Sequence, residues 1–135
     1  MLVSVVIPTY NRLPILKKCL GALENQTFTD EIYDYEIVLV DDGSTDGTLD
    51  WLEKNINSFP HLRLFEQVHG GPAQGRNLGV ENSNGDLIVF IDSDLVVDSN
   101  FLLNHVNSLL KAWKKLGHRK CFTYGTVINT SNFES

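Results

Sequence analysis

Short apolar runs rich in β-branched residues alternate with segments of helical spacing along the whole chain, and that alternation leaves few architectures open. The run from Leu2 to Pro8 predicts a buried strand, because a strand covered on both faces reads as continuous apolar sequence. Asn11 is placed to cap a helix from Leu13 to Gln26 with Pro14 in its first turn, and Leu13, Leu16, Leu20 and Leu23 fall on one face. A second strand is predicted from Tyr35 to Val40. The turn Asp41-Asp42-Gly43-Ser44 follows it, and Ser44 or Asp46 can cap a helix carrying Leu49, Leu52 and Ile56. A third strand from His61 to Gln67 precedes Gly70-Gly71-Pro72, which opens a helix through Glu81. Asn84-Gly85 turns into a strand from Leu87 to Ile91, read as buried. The helix after Asn100 carries Leu102, Val106, Leu109, Trp113 and Leu116 as a core-facing stripe, with Gly117 as its stop. A fifth strand is expected from Cys121 to Ile128, followed by a polar tail.

Alternating strands and helices imply right-handed crossovers and a mostly parallel sheet. The expected fold class is therefore α/β, a Rossmann-like three-layer arrangement, and residues 1–135 read as one domain. In such sheets the ligand lies beyond the carboxyl ends of the strands.

Composition narrows the function. The formal net charge is −6, whereas a nucleic-acid surface wants a basic stripe, so no nucleic-acid partner is expected. One small phosphorylated ligand remains compatible, since a metal ion offsets charge. No apolar run is long enough to span a bilayer, and no basic segment precedes an apolar run at the N-terminus. Cys19 and Cys121 stand in no metal or redox spacing and read as two buried thiols of a reducing compartment, so a cytoplasmic location is expected. His61, His69, His105 and His118 show no zinc spacing, and neither a phosphate-binding loop with its lysine nor a serine-nucleophile elbow is present.

The predicted strand ends are polar and turn-forming. Pro8-Thr9-Tyr10-Asn11 offers a rigid exit and an aromatic face on which a base can stack, or with which Tyr10 simply covers the sheet end. At Asp41-Asp42, one carboxylate can accept the ring N–H of a base while the other caps the next helix. Arg76 can reach a base carbonyl or a diphosphate, or form a surface ion pair with Glu81 or an aspartate. In Asp92-Ser93-Asp94, two carboxylates one residue apart call for positive charge. A hard cation, Mg²⁺ or Mn²⁺, suits them, and capping of the following loop is the structural alternative.

Taken in order, Val5-Val6-Ile7-Pro8-Thr9-Tyr10-Asn11, Ile37 to Asp46, Gly75-Arg76-Asn77-Leu78-Gly79 and Phe90-Ile91-Asp92-Ser93-Asp94 resemble the family-two inverting glycosyltransferases of the GT-A fold. The resemblance runs from Leu2 to about Val97. It implies that Thr9, Tyr10 and Asp41 hold the base, with Pro8, Asn11 and Ser93 in the same donor-contacting segments. It implies Arg76 on the base or diphosphate, Asp92 at the ribose, and Asp94, with Asp92, as metal ligand. His69 stands where the family commonly has asparagine. Family members continue for about as many residues again, and that half carries the carboxylate that deprotonates the acceptor hydroxyl. The chain is thus expected to be the donor-binding half, truncated before its base and acceptor pocket and inactive alone.

The implied reaction is inverting, metal-dependent transfer from a nucleoside diphosphate sugar, with UDP as default nucleotide, to a glycan or lipid acceptor in the full-length enzyme. The full-length protein would serve cell-envelope polysaccharide and sit in the cytoplasm or against a membrane. A non-catalytic nucleotide-binding or assembly module is the rival reading. A sugar nucleotidyltransferase would want a Gly-rich basic signature after the first strand, where Pro8-Thr9-Tyr10-Asn11 stands. An uncovered sheet edge, the strand from Cys121 to Ile128, is expected to promote homo-oligomers.

Overall fold

A computed structural model describes residues 1–27 and 34–117. The elements follow the predicted order: β1 (Leu2–Thr9), α1 (Leu13–Leu23), β2 (Asp34–Asp41), α2 (Thr48–Asn55), β3 (Leu62–Glu66), α3 (Pro72–Glu81), β4 (Leu87–Phe90) and α4 (Phe101–Leu116). The four strands form one all-parallel sheet in the order β3-β2-β1-β4. Strand order therefore reverses between β1 and β4, and the crevice at that reversal is where such sheets bind ligands. The expected strand from Cys121 to Ile128, Cys121 itself and the self-association assigned to that edge lie outside the described residues.

The sheet separates two packed faces. Val3, Val5 and Ile7 of β1 and Ile37 and Leu39 of β2 join Leu16, Cys19, Leu20 and Leu23 of α1 and Leu102 and Val106 of α4 in one buried core. The opposite face of β1 and β2 carries Val6, Val38 and Val40, all buried. There α3 lies close because two of its residues lack side chains. A Cβ at Gly79 would stand 2.4 Å from Val6 Cγ1, and one at Gly75 would stand 3.1 Å from Pro8 Cβ. That close approach is what brings the N-terminal end of α3 to the end of β1.

Pro8 is tolerated in a central strand for a local reason. The Val6 carbonyl accepts from the Ile91 amide, so the backbone groups two residues on point to the same side. The β1–β4 ladder pairs residues only as far as Val6 with Phe90. The missing N–H of Pro8 thus falls just past the last ladder pair, and no ladder bond is lost.

Several expectations change. Asn11 does not cap α1: Arg12 takes the N-cap position and no side chain caps there. Asn11 instead adopts φ 49°, a left-handed turn that asparagine tolerates. α1 ends at Leu23, not Gln26, and Gln26 is used elsewhere. Its side chain accepts from the Leu102 amide at 3.0 Å and donates to the Asp98 carbonyl at 2.8 Å, tying down the start of α4. The stripe of α4 is buried only in its first half. Leu102 and Val106 are buried, but Leu116 is 54% exposed. Gly117 ends the helix in the left-handed conformation, as read. β4 is not buried on both faces: Leu87 and Val89 join the core, while Ile88 and Phe90 are exposed on the α3 side. Among the described residues it is one of the two edge strands, β3 being the other. No helix among them is long and apolar enough to cross a membrane.

Candidate functional site

The carboxyl ends of β1 and β2 meet in register at Thr9 and Asp41, both buried. Asp41 Oδ2 accepts from the Ser44 amide at 3.0 Å, which closes the turn. Asp41 Oδ1 and Thr9 Oγ1 are buried and, among the described residues, have no hydrogen-bond partner. A buried carboxylate oxygen without a donor costs free energy, and folded proteins rarely leave one so. Tyr10 follows directly and is 37% exposed. The site therefore offers an acceptor at the end of β2 and an aromatic ring at the end of the adjacent β1.

Asn11 and Asp46 tie this turn to the next. The Asn11 amide donates to Ser44 Oγ at 2.9 Å, and the Thr45 amide donates to Asn11 Oδ1 at 2.7 Å. The Leu13 amide donates to Asp46 Oδ2 at 3.1 Å, so the start of α1 is satisfied from across the sheet end. Asp46 also accepts from the amide and hydroxyl of Thr48, but neither Ser44 nor Asp46 is the N-cap of α2: Gly47 takes that position and no side chain caps there. The Asn11 carboxamide oxygen is thus committed to the scaffold.

Asp42 does not cap α2. Its carboxylate accepts from the Gly70 amide at 2.8 Å, from Gln67 Nε2 at 2.7 Å and from the Gly71 amide at 3.1 Å. Burial pushes its pKa up, but those backbone and side-chain donors, with His69, outweigh burial and hold it below the usual carboxylate value. His69 Nδ1 lies 3.0 Å from Asp42 Oδ2, and the His69 ring packs on Tyr10 with centroids 4.1 Å apart. The β3–α3 loop is therefore fastened to β2 and backs the Tyr10 ring.

The third segment follows β4. Asp92 and Asp94 have exposed carboxylates, and Ser93 between them is buried, so the solvent-facing side chains of this turn are the two aspartates. Each holds an arginine: Arg76 of α3 reaches Asp92 Oδ1 at 3.1 Å, and Arg12 reaches Asp94 Oδ2 at 3.0 Å. Arg76 thus makes the ion pair with an aspartate that was its alternative reading. Cys19 is buried, as expected, beneath this turn. Burial first, then the charge of Asp94, pushes its pKa up to about 12, which keeps it a thiol.

No group of three or more histidine, cysteine, aspartate or glutamate side chains among the described residues forms a ready-made metal cage. Two exposed carboxylates do fit an ion of the Mg²⁺ or Mn²⁺ kind, which commonly takes one or two carboxylates and completes its shell with water and substrate phosphates.

The sequence model described as Glycosyl transferase family 2 matches residues 4–130, which takes in every segment of the site. The chain belongs to glycosyl transferase family 2. It is 39% identical over 109 residues to a poly(ribitol-phosphate) beta-glucosyltransferase of Bacillus spizizenii, covering 79% of this chain and 17% of that one. The crystal structure of S. aureus TarS in complex with UDP-GlcNAc superposes with a TM-score of 0.71 at 31% identity, over 84% of this chain and 32% of that one. The mannosyltransferase PcManGT from Pyrobaculum calidifontis, solved with GDP-Man and Mn²⁺, gives 0.71 at 30% identity, over 79% and 32%. The fold is the GT-A fold of these family members, and the chain spans about a third or less of their length.

The structure brings Pro8, Thr9, Tyr10, Asp41, Arg76, Asp92 and Asp94 to one sheet edge. Arg12 went unread in the sequence, although it directly follows Asn11, the last residue of the first motif. The loop-fastening role of Asp42 was also missed, because its partners lie beyond β3.

Proposed function

We propose that this chain is the donor-binding part of a glycosyltransferase. In the full-length protein it would take a sugar from a nucleoside diphosphate sugar, UDP-sugar by preference, and pass it to an acceptor hydroxyl with inversion. The observation that carries the reading is the buried Asp41 Oδ1 beside Thr9, which has no partner among the described residues. A carboxylate oxygen there accepts the uracil ring N–H, which satisfies the orphan, and Tyr10 supplies the stacking face. Relatives solved with UDP-GlcNAc and with GDP-Man and Mn²⁺ support a nucleotide-sugar ligand.

On this reading Asp92 faces the ribose and Arg76 the base or diphosphate. Asp94, with Asp92, holds Mn²⁺ or Mg²⁺. Such an ion, when bound, would stabilise the negative charge that collects on the departing diphosphate. Activation of the acceptor hydroxyl, and the cytoplasmic or membrane-facing location, are assigned to the full-length protein.

Calorimetry tests the reading. Wild-type protein should bind UDP in Mn²⁺ more tightly than CDP, because the cytosine ring nitrogen is itself an acceptor. Asp41→Ala should abolish the preference. Equal binding of UDP and CDP by the wild type would remove the base-reading role from Asp41, and no binding of any nucleoside diphosphate would remove the donor-site reading.

A further inference from the structure

Both exposed carboxylates after β4 are held by arginines that arrive from opposite sides. Arg76 comes from α3, and Arg12 from the turn between β1 and α1. The Arg12 backbone is fixed. Its carbonyl accepts from the Leu16 amide at 2.9 Å, and its neighbours are bound to Ser44, Thr45 and Asp46. Its side chain is not fixed to the same degree. The Arg12–Asp94 pair is about half exposed on both sides, 53% and 49%. An ion pair in that setting contributes little, and a hard dication competes well for the same carboxylate.

Strand order decides what the freed guanidinium would meet. The base acceptor Asp41 ends β2, the carboxylates follow β4, and β1 lies between them. A nucleoside diphosphate with its base at Asp41 and its phosphates near Asp94 must cross the end of β1, where Arg12 stands. The planar fork of arginine matches phosphate oxygens. Two neighbouring carboxylates would repel a diphosphate without a compensating cation. We propose that Arg12 is a diphosphate-binding residue of the donor site, parked on Asp94 until a divalent ion takes that carboxylate. The proposal rests on the donor-site reading above. It predicts that metal and diphosphate binding are coupled through one side chain: the ion displaces Arg12, and Arg12 then holds the diphosphate.

The test compares wild type, Arg12→Gln and Arg12→Lys by calorimetry, with bound Mn²⁺ also followed by electron paramagnetic resonance. The ligands are Mn²⁺ alone, UDP with Mn²⁺, and uridine. Arg12→Gln should bind Mn²⁺ alone more tightly, by up to about fivefold, because the competing guanidinium is gone. It should bind UDP with Mn²⁺ about tenfold or more weakly, the loss expected for charge-assisted bonds to phosphate. Uridine affinity should stay unchanged, and Arg12→Lys should lie between the two for UDP. Unchanged Mn²⁺ affinity, or a loss for uridine equal to that for UDP, overturns the proposal. Wild-type protein that binds UDP while Arg12→Gln binds it equally well overturns this proposal alone. Wild-type protein that binds no nucleoside diphosphate overturns the donor-site reading and this proposal with it.

Discussion

The two ends of β2 carry the same chemistry in opposite states. At the amino end, Glu36 is buried and saturated. Oε1 accepts from Ser4 Oγ and from the Asn84 amide, both at 2.7 Å, and Oε2 accepts from Arg63 at 2.9 Å. Ser4 Oγ in turn accepts from the Gly85 amide at 2.8 Å. At the carboxyl end, Asp41 is buried too but has one oxygen with no donor among the described residues. Burial alone does not separate a structural carboxylate from a binding one. Saturation does, because a fully paired group has no remaining capacity for a ligand, whereas an orphaned one gains free energy when a ligand supplies the missing donor.

The contrast can be broken most directly at its saturated end. Glu36→Ala removes the partner of the Ser4 hydroxyl and the Asn84 amide and one of the two partners of Arg63, which keeps the Asn82 carbonyl, and should lower stability by about 3 kcal/mol, read as a fall in the urea midpoint. UDP affinity of the folded protein should not change. A comparable fall in UDP affinity would show that the two ends are coupled.

Asp41→Ala should invert that result. It loses a single turn bond to Ser44, so stability should change by no more than about 1 kcal/mol. UDP affinity in Mn²⁺ should drop about tenfold or more. A stability loss matching that of Glu36→Ala would mean that Asp41 is structural after all.

Acid gives a subtler comparison. Burial pushes Glu36 up, but the Asn84 amide, the Ser4 hydroxyl and Arg63 outweigh it and hold its pKa below 4.5. The native state therefore binds fewer protons than the unfolded chain in this range, and stability rises with pH. The Glu36 contribution is complete above about pH 4.5 and is lost as pH falls below it. Asp42 behaves in the same way from its ordinary 3.8 downward. Urea midpoints between about pH 6 and pH 3 should fall for the wild type and fall less steeply for Glu36→Gln. Equal slopes would show that Glu36 titrates as an ordinary exposed carboxylate.

The sequence was most legible where structure depends on near neighbours. The β-branched runs of β1 and β2 became strands, Gly71-Pro72 opened α3, and Gly117 stopped α4. It was least legible where a side chain had a choice of partners. Asn11 had the residue type of a helix cap, yet Thr45 competes for its oxygen from the neighbouring turn. Gln26 read as the last turn of α1, yet the Leu102 amide of α4 takes its side-chain oxygen. Asp42 read as a cap for α2, yet Gly70 and Gly71 reach it first. Each miss is a polar group whose nearest partner in space is distant in the chain.

By itself, then, the sequence determined the strand–helix alternation, the parallel sheet and the segments at its carboxyl edge, because periodicity and turn chemistry act over a few residues. The tertiary structure decided which polar groups are spent on the scaffold and which remain for a ligand. Asp41, in register with Thr9, keeps an oxygen unpaired among the described residues only in the assembled sheet end, and Arg12 meets Asp94 only because β4 lies next to β1. Hydrogen-bond saturation is a property of the assembled sheet end, where segments far apart in sequence compete for the same donors and acceptors.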